Sequence, residues 1–438
     1  MSRILHAWIN EQHIGTLHEA NGVWAFEYSA KWLAHPDRYP LCPGLPLHEG
    51  LQRDGGTTRP VQWYFDNLLP EEGQRTLLAG SASLDAHDAF ALLAYYGAES
   101  AGSVTLLPDT ASEADRAIHP LPDDELSRRI RQMPHIPLTH EAKKRMSLAG
   151  AQHKLAVILT PDDGLYEPVG GTASTHILKP DHPDLSYAHS VINEWFVMTL
   201  AARVKLNVPT VSRRYVPQPV YLIQRFDRQQ DGEQGWIRLH SIDACQLLGL
   251  DRAYKYSAGS AELLARLANL CAAPAIARGQ LFSWLTFNVL TGNTDAHLKN
   301  LSFLVDHDGI RLAPFYDLLS TAVYETRAFD RDGWPAGCSM AWPIGQVDRL
   351  QAIARTHLIE AGQAMGIKPA TAGAMIDRLR ANVMKEALGL YDETEQAHRE
   401  IGSQRPELRP TLGGELRCLR AITKVIIADM CRQVGAAA

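Results

Sequence analysis

The sequence predicts an α+β chain: an N-terminal α/β subdomain, a strand-rich lobe with one long helix, then an all-helical lobe. Three observations carry that prediction. The chain opens on apolar alternation broken by a short turn. Four short apolar runs crowd between residues 155 and 226. From Ser241 onward the apolar residues recur mostly at helical spacing. The chain has 438 residues, which at roughly 150 residues per domain fits about two to four domains.

The elements follow in order. Leu5–Asn10 alternates and pairs with Ile14–Leu17 as a hairpin. Tyr39–Leu47 carries Pro40, Pro43, Gly44 and Pro46 and is loop. Phe65–Gln74 holds the run FDNLLPEE. Asp85 to Tyr96 has helical spacing, with Asp85 as N-cap and Gly97 as the stop. Ser103–Leu107 is a short strand. Pro108–Thr139 is rich in Pro, Asp, Glu and Arg and reads as linker, with one short helix near Asp123–Gln132. Strands are expected at Leu155–Leu159, Thr175–Leu178, Val211–Val216 and Val220–Phe226, and a helix at Ala188–Lys205. Beyond Ser241 a single hairpin, Ser302–Leu312, turns at Asp308-Gly309. The expected boundaries are 1–110, a linker 111–140, a strand-rich lobe 141–240 and a helical lobe 241–438.

Composition excludes several classes. Hydrophobic residues make up 45% and charged residues 21%, with a net charge of −6, so the chain is neither disordered nor fibrous. The mild acidity argues against a chain that coats nucleic acid or anionic lipid by itself. Cysteines at 42, 245, 271, 338, 418 and 431 form no Cys-x-x-Cys pair, so neither a zinc site nor a disulfide framework is expected. The opening MSRILHAWINEQ lacks the pattern of a signal peptide. The most apolar window, Leu281–Leu290, is too short to span a bilayer. The expectation is a cytoplasmic chain without a membrane partner.

Chemistry concentrates in Gly292-Asn293-Thr294-Asp295-Ala296-His297-Leu298-Lys299-Asn300. This loop lies between an apolar helix and a hairpin. Asp295 and Asn300 have the Asp-x-x-x-x-Asn spacing with which protein kinases place a catalytic carboxylate and a metal-binding amide. A short rigid loop brings both to one phosphoryl group. After the hairpin, Pro314-Phe315-Tyr316-Asp317-Leu318 supplies a second metal carboxylate, Asp317. Upstream, Ser147-Leu148-Ala149-Gly150-Ala151-Gln152-His153-Lys154 precedes a strand. Its small residues let backbone N–H groups approach phosphate oxygens. Lys179 ends an apolar strand, and Glu194, on the following helix, is a candidate ion-pair partner for it. Tyr221–Asp227 stands where a kinase hinge would read the adenine edge. Each feature alone is weak; their order is that of a kinase.

The runs FDNLLPE (65–71), DAFALLAYYGAESAGSVTLLP (88–108), SLAGAQHK (147–154), THILKP (175–180), QRFDR (224–228), GNTDAHLKN (292–300) and LAPFYDLLST (312–321) together resemble the HipA family of serine/threonine kinase toxins of bacterial toxin–antitoxin pairs. The resemblance covers nearly the whole chain. It implies ATP and Mg²⁺ as cofactors, Asp295 as catalytic residue, and Asn300 and Asp317 as metal ligands. It implies nucleotide binding by Ala149, Gly150, Ala151, Gln152, His153, Lys154, Lys179, Gln224, Arg225, Phe226, His297, Lys299 and Tyr316. It assigns autophosphorylation to Ser147. Gln224 departs from the glutamate usual at the hinge. The resemblance also implies an aminoacyl-tRNA synthetase substrate, such as glutamyl-tRNA synthetase. It further implies a small helix-turn-helix antitoxin, with operator DNA reached through that partner. Arg378, Arg380 and Lys385 form a basic cluster that either touches DNA phosphates in such a complex or is a solvated helix face. His176, His182 and His189 fit no metal spacing. Two alternatives stay open: a small-molecule kinase, and a non-catalytic nucleotide-sensing co-repressor.

Overall fold

The computed structural model describes residues 2–108, 116–146, 148–232 and 235–435. The chain divides into two compact units. The first contains Met1–Pro180, Leu222–Tyr254 and Ser302–Ala313; the second contains Asp181–Tyr221, Lys255–Leu301 and Pro314–Ala438.

The first unit opens with an antiparallel sheet of β1 (Arg3–Ile9), β2 (Gln12–Ala20), β3 (Val23–Tyr28), β4 (Gln52–Arg53) and β5 (Val104–Leu107), in the order β4-β3-β2-β1-β5. Alternation turns Leu5, Ala7, Leu17 and Phe26 inward, where they are buried. The β1–β2 hairpin stands where expected; β3 was not foreseen. The helix expected from Asp85 begins instead at Ala89. Asp88 is its N-cap, accepting the Ala91 N–H at 3.0 Å. The Asp85 carboxylate is occupied in the turn before it, on the His87 N–H at 2.9 Å.

A second set of strands, β6 (Arg116–Pro120), β7 (Leu155–Leu159), β8 (Leu165–Gly170) and β9 (His176–Pro180), lies in the order β9-β7-β8-β6. β6 comes from the segment read as linker. All its residues are exposed, so no apolar alternation marks it, and it is held by its backbone pairing with β8. The helix Asp123–Arg131 forms as expected, acidic in its first turn and basic in its last. Ser241–Asp243 and the hairpin Ser302–Asp306/Gly309–Leu312 form a further sheet, and Arg228–Asp231 pairs with Gly235–Arg238.

The second unit is built from helices Ser190–Arg203, Ala261–Leu270, Pro274–Thr291, Arg355–Ala364, Pro369–Gln404, Arg409–Ala421 and Ala428–Gly435. Pro274–Thr291 is its core: Phe282, Trp284 and Phe287 are fully buried, and the helix is apolar on nearly every side. A π-helical segment, Ile422–Ile427, interrupts the last helices. The unit is not all-helical. A hairpin, Ser339–Ile344 with Val347–Arg349, was not foreseen. Among the described residues no helix is long and apolar enough to cross a membrane.

Candidate active site

The loop 292–300 starts where the core helix stops. Gly292 caps that helix at φ +65°, a left-handed conformation open to glycine at little cost. A Cβ there would stand 2.6 Å from Ile426 of the π-helical segment, so only glycine lets the loop lie this close. Asn293, fully buried, braces the loop: its amide donates to Asn288 Oδ1 at 2.8 Å and its Oδ1 accepts the Asp295 N–H at 3.1 Å. The Thr294 N–H donates to Thr321 Oγ1 at 2.6 Å.

Asp295 is therefore held by backbone on both sides while its side chain reaches solvent. Its carbonyl accepts Asn300 Nδ2 at 3.0 Å and the His297 N–H at 2.8 Å. The residues expected to act together are thus joined through the loop itself. Burial of its surroundings raises the Asp295 carboxyl above its ordinary value, opposed by His297, the Tyr256 hydroxyl and Lys255, and aided by Asp317. Tyr256 donates to Asp295 Oδ1 at 2.8 Å; this contact was not foreseen. His297, Lys299 and Asn300 are buried. Tyr316 donates its hydroxyl to the Lys299 carbonyl at 2.7 Å, bringing the second motif onto the first.

Asp317 starts no helix. It has φ +56°, an uncommon conformation for a side-chain-bearing residue that must be held by its surroundings. The holding is visible three residues on. Asn193, fully buried on the helix Ser190–Arg203, accepts the Ser320 N–H at 2.8 Å and donates to the Ser320 carbonyl at 3.0 Å. The next residue of that helix, Glu194, is buried too. Burial, Glu194 and Asp317 all push the Tyr221 phenol well above its ordinary range, so both carboxyl groups lie near it.

In the first unit the phosphate-loop candidates and Lys179 converge through strand register. Leu155 of β7 stands opposite Leu178 of β9, so Lys154 and Lys179, one step further on each strand, reach the same end of the ladder. The Lys154 ammonium donates to the Ala149 carbonyl at 2.6 Å, closing the loop on itself. The Glu71 N–H donates to the Gly150 carbonyl at 3.3 Å, so the FDNLLPEE run supports the loop from outside. An open groove of about 340 Å³, bordered by Leu78, Pro137, Leu148, Gly150 and Lys154, runs beside it. Ala151 is exposed, Ala149 and Gln152 are half-buried, and His153 is buried. Ser147 lies outside the described residues.

The expected hinge strand carries a buried charge at Arg225. Gln224 and Phe226 are half-buried, and the Arg225 side chain is turned onto protein groups. It is buried and committed: to Asp227 at 2.7 and 2.9 Å, Ser174 Oγ at 3.1 Å, the Ser100 carbonyl at 2.9 Å and Glu99 at 3.1 Å. Glu99, fully buried, also meets Arg228 at 2.8 Å, Arg238 at 3.0 Å and Lys144 at 3.5 Å. Burial works against the Glu99 carboxylate, and Arg238, Arg228, Lys144 and Arg225 together overcome it, holding the carboxyl well below its usual range. The anions Glu99 and Asp227 account for the Arg225 side chain. The histidines are also local: His176 bonds Thr175 Oγ1, and His182 accepts the Asp184 N–H.

Two domain families match this chain: residues 5–107 fit the HipA N-terminal domain and residues 146–387 the HipA-like C-terminal domain. The chain belongs to the HipA family. It is 32% identical over 321 residues to the serine/threonine-protein kinase toxin HipA of Shewanella oneidensis, covering 69% of this chain and 71% of that one. It is 35% identical over 340 residues to Y4mE of Sinorhizobium fredii, covering 74% and 78%. The solved complex of Shewanella oneidensis HipA, HipB and operator DNA contains a chain that matches with a TM-score of 0.75 and 26% identity over 99% of this chain and 100% of that one. A kinase of the HipA toxin–antitoxin type is therefore the class of this chain.

Proposed function

We propose that this HipA-family chain is an ATP- and Mg²⁺-dependent kinase that phosphorylates serine or threonine in a protein. The observation that carries the reading is the loop 292–300, which presents the Asp295 carboxylate to solvent and ties Asn300 to Asp295's own carbonyl. Asp295 orients the acceptor hydroxyl and takes its proton. The hydroxyl oxygen bonds to the γ-phosphorus, the bond to the β-phosphate oxygen breaks, and ADP leaves. Lys179 and the loop 149–154 bind the phosphates. Gln224 and Phe226 flank the adenine, and His297, Lys299 and Tyr316 line the nucleotide.

The donor set fits magnesium. Asn300 Nδ2 is spent on Asp295, which leaves its amide oxygen for a metal, and Asp317 adds a carboxylate. One or two hard oxygen donors plus phosphate oxygens are what this ion prefers. Among the described residues no group of three His, Cys, Asp or Glu offers a competing site. The ion would neutralise charge on the β- and γ-phosphates.

The acceptor we propose is an aminoacyl-tRNA synthetase, such as glutamyl-tRNA synthetase, whose modification would stall translation. A phosphate on Ser147 would place close to two negative charges beside the ATP phosphates and shut the kinase down. The HipB and operator DNA in the Shewanella complex support a helix-turn-helix antitoxin that carries this chain to DNA. Direct DNA contact has less support: Arg378 and Lys385 are exposed, but Arg380 donates to the Cys431 carbonyl at 3.3 Å. The test is phosphate transfer from labelled ATP by the full chain and by Asp295→Asn. Loss of general-base catalysis should slow transfer by about 10²–10⁴-fold. Undiminished transfer by the variant would sink the assignment.

A further inference from the structure

The turn at residues 255–258 is fastened to the loop 292–300 directly and, just beyond its end, through Trp342, and both fastenings serve to place one side chain. The Leu298 N–H donates to the Lys255 carbonyl at 3.1 Å. The Trp342 indole N–H donates to the Ala296 carbonyl at 2.8 Å. The same indole lies flat against Gly259, where a Cβ would come within 2.2 Å of a ring carbon. Trp342 is therefore a wedge, buried between the end of the turn and the residue after Asp295, and only glycine at 259 leaves it room.

What this clamp presents is Tyr256. Its hydroxyl donates to Asp295 Oδ1 at 2.8 Å. Its ring meets His297 edge to face, with centroids 5.1 Å apart at 81°, and the Lys255 ammonium lies 5.0 Å from the ring centroid. Yet the residue is 41% exposed. A large aromatic ring that is half in water and bonded to a catalytic carboxylate is placed where an acceptor must arrive. Aromatic rings of this kind combine broad apolar contact with a polar tip, the pairing favoured at recognition surfaces.

We propose that Tyr256 is a positioning residue that fixes Asp295 for the acceptor hydroxyl and receives, on its exposed ring, the polypeptide carrying that hydroxyl. The bond to Oδ1 sets the carboxylate plane and leaves Oδ2 for the acceptor. The acceptor proton passes to Asp295 as its oxygen bonds to the γ-phosphorus of ATP and ADP departs. Tyr256 keeps its own proton throughout. This inference rests on the kinase reading of Asp295 above.

The test uses the full chain with γ-labelled ATP and phosphatase-treated bacterial lysate protein as acceptor. Three variants are compared: Tyr256→Phe, Tyr256→Ala and Asp295→Asn. Tyr256→Phe removes one hydrogen bond and keeps the ring. Its limiting rate should fall by roughly tenfold, the size of a single hydrogen bond to a charged group, with the half-saturating ATP concentration and the melting temperature unchanged. Tyr256→Ala should in addition need severalfold more acceptor protein to reach half its limiting rate. A Tyr256→Phe enzyme with the wild-type limiting rate overturns the proposal. So does a loss that comes with weaker ATP saturation or lower melting temperature, because that is the signature of a structural residue. Transfer undiminished in Asp295→Asn would refute the kinase reading instead. An inactive Asp295→Asn beside a full-speed Tyr256→Phe would refute only the role of Tyr256.

Discussion

Glu99→Gln is the sharpest perturbation of the fold, because it removes one charge and almost no volume. In the native chain Glu99 is fully buried among four cations, Arg228 at 2.8 Å, Arg238 at 3.0 Å, Arg225 at 3.1 Å and Lys144 at 3.5 Å. Asp227 is also bonded in this cluster, and Arg225 and Arg228 share it. After the substitution Arg225 and Arg228 keep Asp227, while Arg238 and Lys144 lose the carboxylate they meet at Glu99. Breaking a buried ion pair from one side costs about 3–5 kcal/mol. For a unit of some 200 residues that lowers the melting temperature by about 10 °C. Scanning calorimetry at pH 7 reads it directly. A second variant separates charge from packing. Burial, with Arg225, pushes Arg228 down to about 10, so it is the least comfortable cation, and adding Arg228→Met to Glu99→Gln should recover part of the loss. The pH dependence has a fixed sign. Glu99 is held below its ordinary value in the folded state, so its stabilisation is complete above roughly pH 5 and fades as pH falls toward the folded value. The gap between wild type and Glu99→Gln should be constant from pH 8 to 5 and narrow below. A melting temperature within 2 °C of wild type, taken as roughly 1 kcal/mol, would refute the ion-cluster account.

Two further outcomes follow from other buried groups. Asn193→Ala removes both hydrogen bonds to Ser320 and should cost about 1–3 kcal/mol. It should also slow phosphate transfer, since the strained backbone at Asp317 loses its brace; calorimetry and labelled-ATP transfer check the two effects, and an unchanged melting temperature would discount the brace. Burial pushes Glu415 up to about 7 against the opposing pull of Arg213 and the Tyr215 hydroxyl. The folded state thus prefers the protonated acid. Wild-type stability relative to Glu415→Gln should fall by about 3 kcal/mol as pH rises from 4.5 toward 7. Urea midpoints at pH 5 and pH 8 measure the difference, and parallel behaviour of the two proteins would contradict it.

The parts of the site that were legible in sequence are those whose function is local. Asp295 and Asn300 meet through the backbone of one loop, so their spacing is their geometry. The helix Ser190–Arg203 and the hairpin before Asp317 were legible for the same reason, since apolar period and turn residues act over a few positions. The elements that were missed lack a local mark. β6 is exposed at every residue, and the hairpin strand Ser339–Ile344 contains Pro343 and pairs irregularly, which argues against a strand when read alone. Asp85 and Asp88 are both good caps; only the three-dimensional turn decides between them.

Tyr256 and Glu99 were missed for a different reason. Tyr256 is 39 positions from Asp295, and Glu99 is more than 120 positions from Arg225 and Arg228. No periodicity or spacing rule reaches that far. A trace was nevertheless present. Glu99 sits in GAESAGS, an acid set among small residues, and two arginines sit in QRFDR behind an apolar strand. Each is a charge in a stretch otherwise fit for burial, and a buried charge requires an opposite one. The pairing of those two runs is a prediction that physical chemistry alone allows: one supplies the anion that the other needs. That changes the meaning of a family-specific run such as QRFDR. Its specificity reflects architecture as much as catalysis, since the Arg225 side chain is committed to Glu99 and Asp227.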